Sequence, residues 1–221
     1  MGSLEPLPLF PLNTVLFPYA RLQLHVYEPR YREMLRFCAE NDSGFGIALI
    51  RSGQEVGGPS EPFMVGTAAR IISAQTFEDG SSNVWVQGQQ RFRIRQIDDS
   101  RPFLVGQIET VVELELDDNP RMNQLVMQAR DLLEQYLNGR LAASGMRVAS
   151  MELHDDPTVL SFLIANLVHA EPRQKQVLLE MTDTEERLVA LMPLLEQQIV
   201  EADTGLYPIS PEELSEWIHR N

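Results

Sequence analysis

The spacing of apolar residues changes once along the chain, near residues 117–121. Before that point apolar and polar residues alternate, as in Val84 and Val86, and such alternation is typical of half-buried strands. After it, apolar residues recur three and four positions apart, which is the spacing of an amphipathic helix; the first such run is Met122, Leu125, Val126, Ala129, Leu132, Leu133 and Tyr136. We therefore predict an α+β chain, with a β-rich domain over residues 1–118 and a helical domain over residues 119–221.

Turn residues divide the first half into five or six short strands, which predicts a bent sheet or small barrel. "EDGSSN" at 78–83 predicts a hairpin turn, because glycine adopts positive φ without strain. The last predicted strand runs from about residue 102 to 118. A short helix is predicted from Pro29, with apolar residues on one face, and the Gly/Pro/Ser-rich stretch 51–62 is predicted to be a mobile loop.

Four helices are predicted in the second half from their caps and breakers. The first starts at Pro120 and stops at Asn138-Gly139, and Met122, Met127 and Met181 are predicted to pack in the helical core. Asp156 and Asp183 are predicted N-caps of later helices. Pro193 is expected to bend the last helix or to end it early.

Composition excludes several classes of partner and compartment. A net charge of −14 and a pI near 4.7 disfavour nucleic acid and anionic membranes, since both bind clustered cations. The single cysteine permits no internal disulfide, and no apolar run is long enough for a membrane span or signal peptide. We therefore predict a cytoplasmic protein.

The chain contains one lysine, Lys175, and this limits its chemistry. A phosphate-binding P-loop needs Gly-Lys-Ser/Thr, whereas Lys175 is followed by Gln176 inside a predicted helix. A Ser–Lys protease needs a desolvated lysine beside a serine. Arg173, Gln174 and Gln176 flank Lys175, so we interpret it as a solvated cation and predict neither activity.

No other catalytic or metal site is predicted, and no cofactor is expected. The four histidines lack metal-ligand spacing, and His154-Asp155-Asp156 reads better as a loop that leads into a cap. His25 is interpreted as a strand residue and Cys38 as a buried structural thiol. The pairs Asp98-Asp99 and Asp117-Asp118 are interpreted as turn residues, because adjacent strand residues point in opposite directions.

"RFRIR" at 91–95 has two interpretations. Its three alternating arginines suit phosphates or acidic peptides, but the same pattern is typical of the solvated face of a half-buried strand. We favour the solvated face.

Several segments, in order, resemble the substrate-binding N-terminal domain of the Lon family of ATP-dependent proteases. "LPLFPLNTVLFPYARLQLHVYEPRYREML" (7–35) is similar to its opening, and "VGTAARI" and "GQQRFRI" to later strands. "KQVLLEMTDTEERLVALMPLL" is similar to its helical part. The resemblance covers roughly residues 6–200, and we interpret the matching positions as fold-determining: Glu28, Arg30, Tyr31, Gly88, Arg91 and Phe92. Glu28 and Arg30 are expected to form local charged hydrogen bonds, and Gly88 to permit a bulge.

The resemblance implies a PUA-like bent sheet or pseudo-barrel followed by a helical bundle. About twenty residues remain after it, so a stand-alone bacterial-type substrate-binding-domain protein without the ATPase and protease domains is expected. The leading hypothesis is a non-catalytic module that binds unfolded or degron-bearing polypeptide, with the N-terminal strands and residues 51–62 as candidate rims and the peptide-contacting residues unassigned.

The alternatives are an adaptor for a partner protein, a binder of a small molecule or RNA, and an unrecognised hydrolase. The acidic net charge argues against RNA binding. The sequence shows no recognisable set of nucleophile and base for a hydrolase. Neither a nucleic-acid nor a membrane partner is predicted, and a homo-oligomer is compatible with the sequence.

Overall fold

The computed structural model describes residues 4–116, 120–142 and 155–202. Its strands are β1 (Glu5–Leu12), β2 (Arg21–Val26), β3 (Phe45–Gly53), β4 (Ser60–Pro62), β5 (Val65–Thr76), β6 (Ser82–Asp98) and β7 (Leu104–Thr110). Its helices are α1 (Pro29–Glu40), α2 (Pro120–Ala142), α3 (Pro157–Leu167), α4 (Pro172–Glu180) and α5 (Thr184–Ala202).

Two compact units divide the chain: Met1–Val112 with Glu171–Glu180, and Glu113–Ala170 with Met181–Asn221. In this division the chain returns to the first unit over Glu171–Glu180, and the domain boundary at residues 118–119 stays a prediction.

The first unit is built on a bent, mostly antiparallel sheet in the order β1-β7-β6-β5-β3-β4. β1 also pairs with β3, in parallel, and β2 pairs with the first half of the long strand β6. Side chains on the inner face form a core around Leu9, Phe92, Ile94 and Ile108. The predicted α+β class with a bent sheet is confirmed.

A β-bulge bends β6 next to Gly88. Thr67 pairs with Arg91 and Ala69 pairs with Gly88, so two residues of β6 lie opposite Ala68. Gly88 also forms hydrogen bonds with the segment before β2: its N–H donates to the Ala20 carbonyl (2.8 Å), and its carbonyl accepts from the Tyr19 N–H (2.9 Å).

Two helices complete the first unit. α1 starts at Pro29 and buries Tyr31, Met34 and Cys38, which lie three and four positions apart. Within α4, the buried Gln176 donates from Nε2 to the Val65 carbonyl (3.0 Å) and so fixes this helix to β5.

The second unit is helical, and α5 packs against both α2 and α3. Asp156 and Asp183 cap α3 and α5 as predicted: Asp156 Oδ1 accepts from the Thr158 N–H (2.7 Å) and Asp183 Oδ1 from the Glu185 N–H (2.8 Å). Leu188, Leu191 and Leu195 form the fully buried stripe of α5.

Several predicted boundaries are wrong. β7 ends at Thr110. The Val111 N–H still donates to the Arg91 carbonyl of β6 (3.0 Å), but residues 112–116 are not in a strand, and the Leu114 N–H donates instead to the Thr182 carbonyl (2.9 Å). α2 continues past Asn138-Gly139 to Ala142. α5 continues past Pro193 to Ala202, so Pro193 does not end the helix early, and the bend expected as the other outcome stays a prediction. Asp117 and Asp118 lie outside the described residues.

Two further predictions need correction. The loop predicted at 51–62 is a hairpin whose arms are the end of β3 and β4, with Gly53 paired to Ser60. Met127 is 66% exposed and does not pack in the core, whereas Met122 is buried as predicted. The hairpin predicted around Asp79-Gly80 is confirmed, with Gly80 at φ 78°.

Candidate functional site

The strand β2 is paired along one edge only. Its residues Arg21 to Val26 pair antiparallel with Gln87 to Ser82 of β6, and no other strand of the described residues pairs with it. A strand with one free edge presents unpaired N–H and C=O groups, which another extended chain can complete.

A groove of about 280 Å³ lies along β2. Every residue from Leu22 to Glu28 lines it, together with Phe10 and Leu12 of β1 and with Glu55 and Val56. Because successive side chains of a strand point to opposite faces, a groove lined by consecutive β2 residues faces the edge of the strand. We call it the β2-edge groove.

Glu28 and Arg30 hold one wall of this groove in place. Arg30 Nη2 lies 3.1 Å from Glu28 Oε2. The same guanidinium donates to the Gly58 carbonyl (2.9 Å) and the Glu55 carbonyl (3.1 Å), while Glu28 Oε2 accepts from the Gly57 N–H (3.1 Å). These contacts tie residues 54–59 to the start of α1, and we call the pair the Glu28–Arg30 clamp.

Tyr31 contacts both the clamp and β1. Its ring stacks on Phe10 with centroids 4.0 Å apart, and the Arg30 guanidinium lies 4.5 Å above it. Burial raises the pKa of Tyr31 to about 12, so its hydroxyl stays neutral. The structure thus brings together three of the six sequence-predicted positions, Glu28, Arg30 and Tyr31, beside the groove.

Replacing Arg30 with methionine should loosen the groove wall without unfolding the protein. Residues 54–59 lose both guanidinium donors, so their amides should exchange with solvent at least tenfold faster, while stability falls by only about 1–2 kcal/mol. Hydrogen–deuterium exchange and urea unfolding measure the two effects. Arg36→Met, on the exposed side of the same helix, is the matched control. Unchanged exchange at 54–59 in Arg30→Met would refute the clamp.

The other three predicted positions lie elsewhere in the first unit. Phe92 is in the sheet core and Gly88 contacts the segment before β2. Arg91 is 2% exposed and donates from Nη1 to the Leu179 carbonyl of α4 (2.5 Å). The solvated face expected for "RFRIR" is therefore wrong at Arg91, although Arg95 is exposed and forms an ion pair with Glu109. Whether the six positions determine the fold stays a prediction.

Lys175 is not the fully solvated cation that we expected. It is half-buried on α4, and desolvation lowers its pKa from 10.5 to about 8. Its neighbours Arg173 and Gln174 are exposed. Adjacent residues on a helix face different directions, so the polar residues beside Lys175 in the sequence did not indicate that Lys175 itself is half-buried.

A pH dependence follows from this lowered pKa. Between about pH 8 and pH 10 the unfolded chain binds a proton at residue 175 that the folded chain releases, so this group makes stability rise with pH in that window. Lys175→Met should remove the rise and stabilise the protein at neutral pH by about 1–2 kcal/mol. Urea unfolding of both proteins across this range measures the difference. Parallel stability curves would contradict it.

The remaining candidates behave as structural residues. His25 is on β2, with Nδ1 2.8 Å from Asn83 Oδ1. Cys38 is buried, its Sγ donates to the Gly44 carbonyl (3.4 Å), and burial raises its pKa. Asp98 accepts from the Ser100 N–H (2.9 Å) in a turn. His154 lies outside the described residues.

Residues 4–116, 120–142 and 155–202 contain no group of three metal-ligating side chains placed to hold an ion. None of their helices has the length and hydropathy of a membrane span.

Sequence reasoning missed the groove and one buried arginine. The groove depends on the pairing of β2 with β6, about sixty residues later, which no local pattern encodes. Arg187 is fully buried in α5. A signal for it existed, because Arg187 falls within the helical spacing of Thr184, Leu188 and Leu191.

The comparisons with known proteins agree on one family. Residues 6–197 match the ATP-dependent protease La (LON) substrate-binding domain. Lon protease 2 of Myxococcus xanthus is 26% identical over 198 residues, which are 88% of this chain and 24% of that protein. Lon protease of Escherichia coli K12 is 28% identical over 195 residues, 87% of this chain and 25% of that protein. The chain thus spans about a quarter of these relatives.

Two solved structures are similar in fold. The Lon N-terminal domain protein from Xanthomonas campestris has a TM-score of 0.63 and 28% identity, and the match covers 86% of this chain and 98% of that one. The N-terminal domain of Mycobacterium avium complex Lon protease has a TM-score of 0.67 and 20% identity, covering 87% and 98%. With its family match spanning most of its length, this chain belongs to the Lon substrate-binding domain family.

Proposed function

We propose that this chain is a non-catalytic module that binds unfolded or degron-bearing polypeptide by adding an extended segment to the free edge of β2. The observation that carries the proposal is the β2-edge groove, which runs along a strand paired on one side only. Membership of the substrate-binding domain family supports the same function.

The edge of β2 suits a ligand without a fixed sequence. In β-strand addition the affinity comes mainly from main-chain hydrogen bonds, which every polypeptide can form. The groove also offers exposed apolar surface, because Tyr27 is 49% and Val56 is 52% exposed. The polar side chains of Gln23 and His25 line the same groove. Such a mixed surface accepts alternating side chains of an extended segment.

The Glu28–Arg30 clamp gives the groove a preformed wall. Residues 54–59 need not be ordered when a ligand binds, because they are already hydrogen-bonded to α1. Less conformational entropy is then lost on binding.

Binding without catalysis is favoured by the chemistry of the groove. Its lining contains no serine, cysteine or lysine, and a Ser–Lys protease needs both a hydroxyl nucleophile and a lysine base. The only lysine, Lys175, is on α4. We propose that any cleavage of a bound polypeptide is performed by another domain or protein.

Titration of fluorescently labelled, reduced casein by anisotropy tests this function. We expect saturable binding to the wild type and at least tenfold weaker binding to Tyr27→Asp and Val56→Asp, since each buries a charge against the ligand. Ile72→Asp is the matched control: Ile72 is equally apolar and exposed, but lies outside the groove. Absence of binding at about 100 µM, or equal losses in all three variants, would overturn the proposal.

A partner-protein adaptor is the second candidate. On α5 of the second unit, Val189 and Val200 are exposed and lie eleven residues apart, which places them on the same side of the helix. If this stripe mediates self-association, sedimentation should show a dimer that Val200→Asp dissociates. A monomer at all concentrations would remove self-association from consideration.

A further inference from the structure

A second cavity, of about 730 Å³, lies between α1 and the β5–β6 hairpin. It shares no lining residue with the β2-edge groove. Three arginines line it, Arg32 and Arg36 from α1 and Arg70 from β5, against one carboxylate, Asp42. We call it the arginine cleft.

This excess of positive charge is local. The chain as a whole carries a net charge of −14, so a cavity with three arginines and one aspartate is the opposite of its average surface. Arg32 and Arg36 are four residues apart and therefore lie one above the other on α1. Arg70 is brought to them by the fold, since it comes from a different element.

The guanidinium groups are available to a ligand. Within the described parts of the chain, neither Arg32 nor Arg36 forms an ion pair or hydrogen bond with another side chain. Arg32 does lie near Asp79, whose pKa is lowered by hydrogen bonds within its own turn and further by the charge of Arg32, so a ligand at Arg32 competes with this exposed aspartate. Arg70 donates to Gln87 Oε1 at 3.4 Å, a long bond between neutral and charged groups. A guanidinium presents two parallel N–H donors that match a carboxylate. A carboxylate ligand would therefore interact with these arginines more strongly than their contacts within the protein do.

The turn of the β5–β6 hairpin positions Arg32. A Cβ placed on Gly80 would lie 1.8 Å from Arg32 Nη2, so the guanidinium rests directly against this glycine. Gly80 also has φ 78°, which the turn requires. The absence of a side chain at Gly80 thus leaves the space that the Arg32 guanidinium occupies in the cleft.

Apolar side chains, among them Leu35 and Ile71, line the cleft together with the hydroxyl side chains of Ser43, Thr76 and Ser82. The Cys38 thiol also lines it, and burial raises the pKa of this thiol, so it adds no negative charge at neutral pH. The cleft therefore combines an apolar surface with three cations and suits a ligand that carries both apolar groups and several anionic ones.

We propose that the arginine cleft binds a short acidic polypeptide segment, whose carboxylates pair with Arg32, Arg36 and Arg70 and whose apolar side chains pack on Leu35 and Ile71. A nucleic acid is disfavoured, because three arginines do not offset the repulsion between a phosphate backbone and the acidic remainder of the surface. The cleft is a second site, and it does not depend on strand addition at β2.

Anisotropy titration of a rhodamine-labelled octapeptide of alternating glutamate and leucine tests the proposal. The matched probe is the same peptide with glutamine in place of glutamate. We expect binding of the glutamate peptide only, weakening as salt concentration rises. The double variant Arg32→Gln/Arg36→Gln should bind at least tenfold more weakly, whereas Arg51→Gln, an exposed arginine outside the cleft, should stay within twofold of wild type.

Two further measurements distinguish binding at the arginine cleft from binding at the β2-edge groove or elsewhere. Tyr27→Asp should bind the glutamate peptide normally, so loss of casein binding at β2 leaves this result unaffected. Hydrogen–deuterium exchange of the wild type with the glutamate peptide should show protection in α1 and in the β5–β6 hairpin. Equal binding of the glutamine peptide, an unchanged double variant, protection confined to other segments, or tighter binding of a DNA oligonucleotide of equal charge would each overturn the proposal.

Discussion

Replacing Arg187 with methionine lowers the free energy of unfolding by about 2–4 kcal/mol, because a network of buried groups loses its donor. Arg187 is 0% exposed. Its Nε donates to Ser161 Oγ (2.8 Å), its Nη1 to the Met181 carbonyl (2.6 Å), and its Nη2 to Glu113 Oε2 (3.1 Å) and Thr184 Oγ1 (3.1 Å). Methionine fills much of the volume but satisfies none of these acceptors.

The guanidinium also lies 4.0 Å above the ring of Phe162, which adds a cation–π contact that methionine only partly replaces. Urea unfolding followed by far-UV circular dichroism measures the loss. The matched control is Arg121→Met, whose ion pair with Glu185 is on the surface and should contribute less than about 1 kcal/mol.

A second variant isolates the ion pair within the network. Arg187→Met removes the buried cation that lies 3.1 Å from Glu113 Oε2, so adding Glu113→Gln should recover part of the loss, about 1 kcal/mol. Equal stability of Arg187→Met and Arg121→Met would show that the buried network contributes nothing, and would contradict the expectation.

Replacing Gly88 with alanine destabilises the protein by about 2–3 kcal/mol. A Cβ at this position would lie 2.2 Å from the Phe17 carbonyl oxygen and 3.1 Å from its carbonyl carbon. These are backbone atoms, and they cannot turn aside as a flexible side chain does. Accommodating the methyl group requires moving β6 away from the segment that leads into β2, which strains two hydrogen bonds at once.

Gly58→Ala is the matched control for this substitution. Its Cβ would meet only the side chain of Gln54, at 3.1 Å from Oε1, and that side chain can rotate away. Urea midpoints of the two variants measured side by side give the difference. Losses within about 0.5 kcal/mol of each other would show that the close approach at Gly88 does not constrain the fold.

Local sequence patterns predicted the helix caps and the turn, which are stabilised by residues close to one another in the chain. The caps at Asp156 and Asp183 were predictable because each aspartate accepts from N–H groups two or three residues away. The turn at Gly80 was predictable because its positive φ favours glycine.

Long-range pairing explains the wrong predictions. Residues 112–116 alternate like a strand, but none of the described strands pairs with them, and Glu113 pairs instead with Arg187. Arg91 looks solvated on its strand, but α4, almost ninety residues later, covers it. The hydrogen-bonded hairpin within 51–62 was interpreted as a mobile loop because glycine and proline obscured its two short arms.

The candidate site was only partly predictable for the same reason. Sequence placed the N-terminal strands and residues 51–62 at the rims of a binding surface, and the groove is lined by Leu22 to Glu28 with Glu55 and Val56. The proposed use of this groove depends on the free edge of β2, and that edge is set by the long-range pairing of the strands. No pattern within β2 indicates that, among the described strands, β6 alone pairs with it.

Hydrogen–deuterium exchange of the wild type with saturating reduced casein tests polypeptide addition at β2 most directly. A bound strand satisfies the outward-facing amides of Arg21–Val26, so those amides should exchange more slowly in the complex, while amides already bonded to β6 change little. Casein binding that leaves every β2 amide unprotected, with protection confined to other segments, would contradict it.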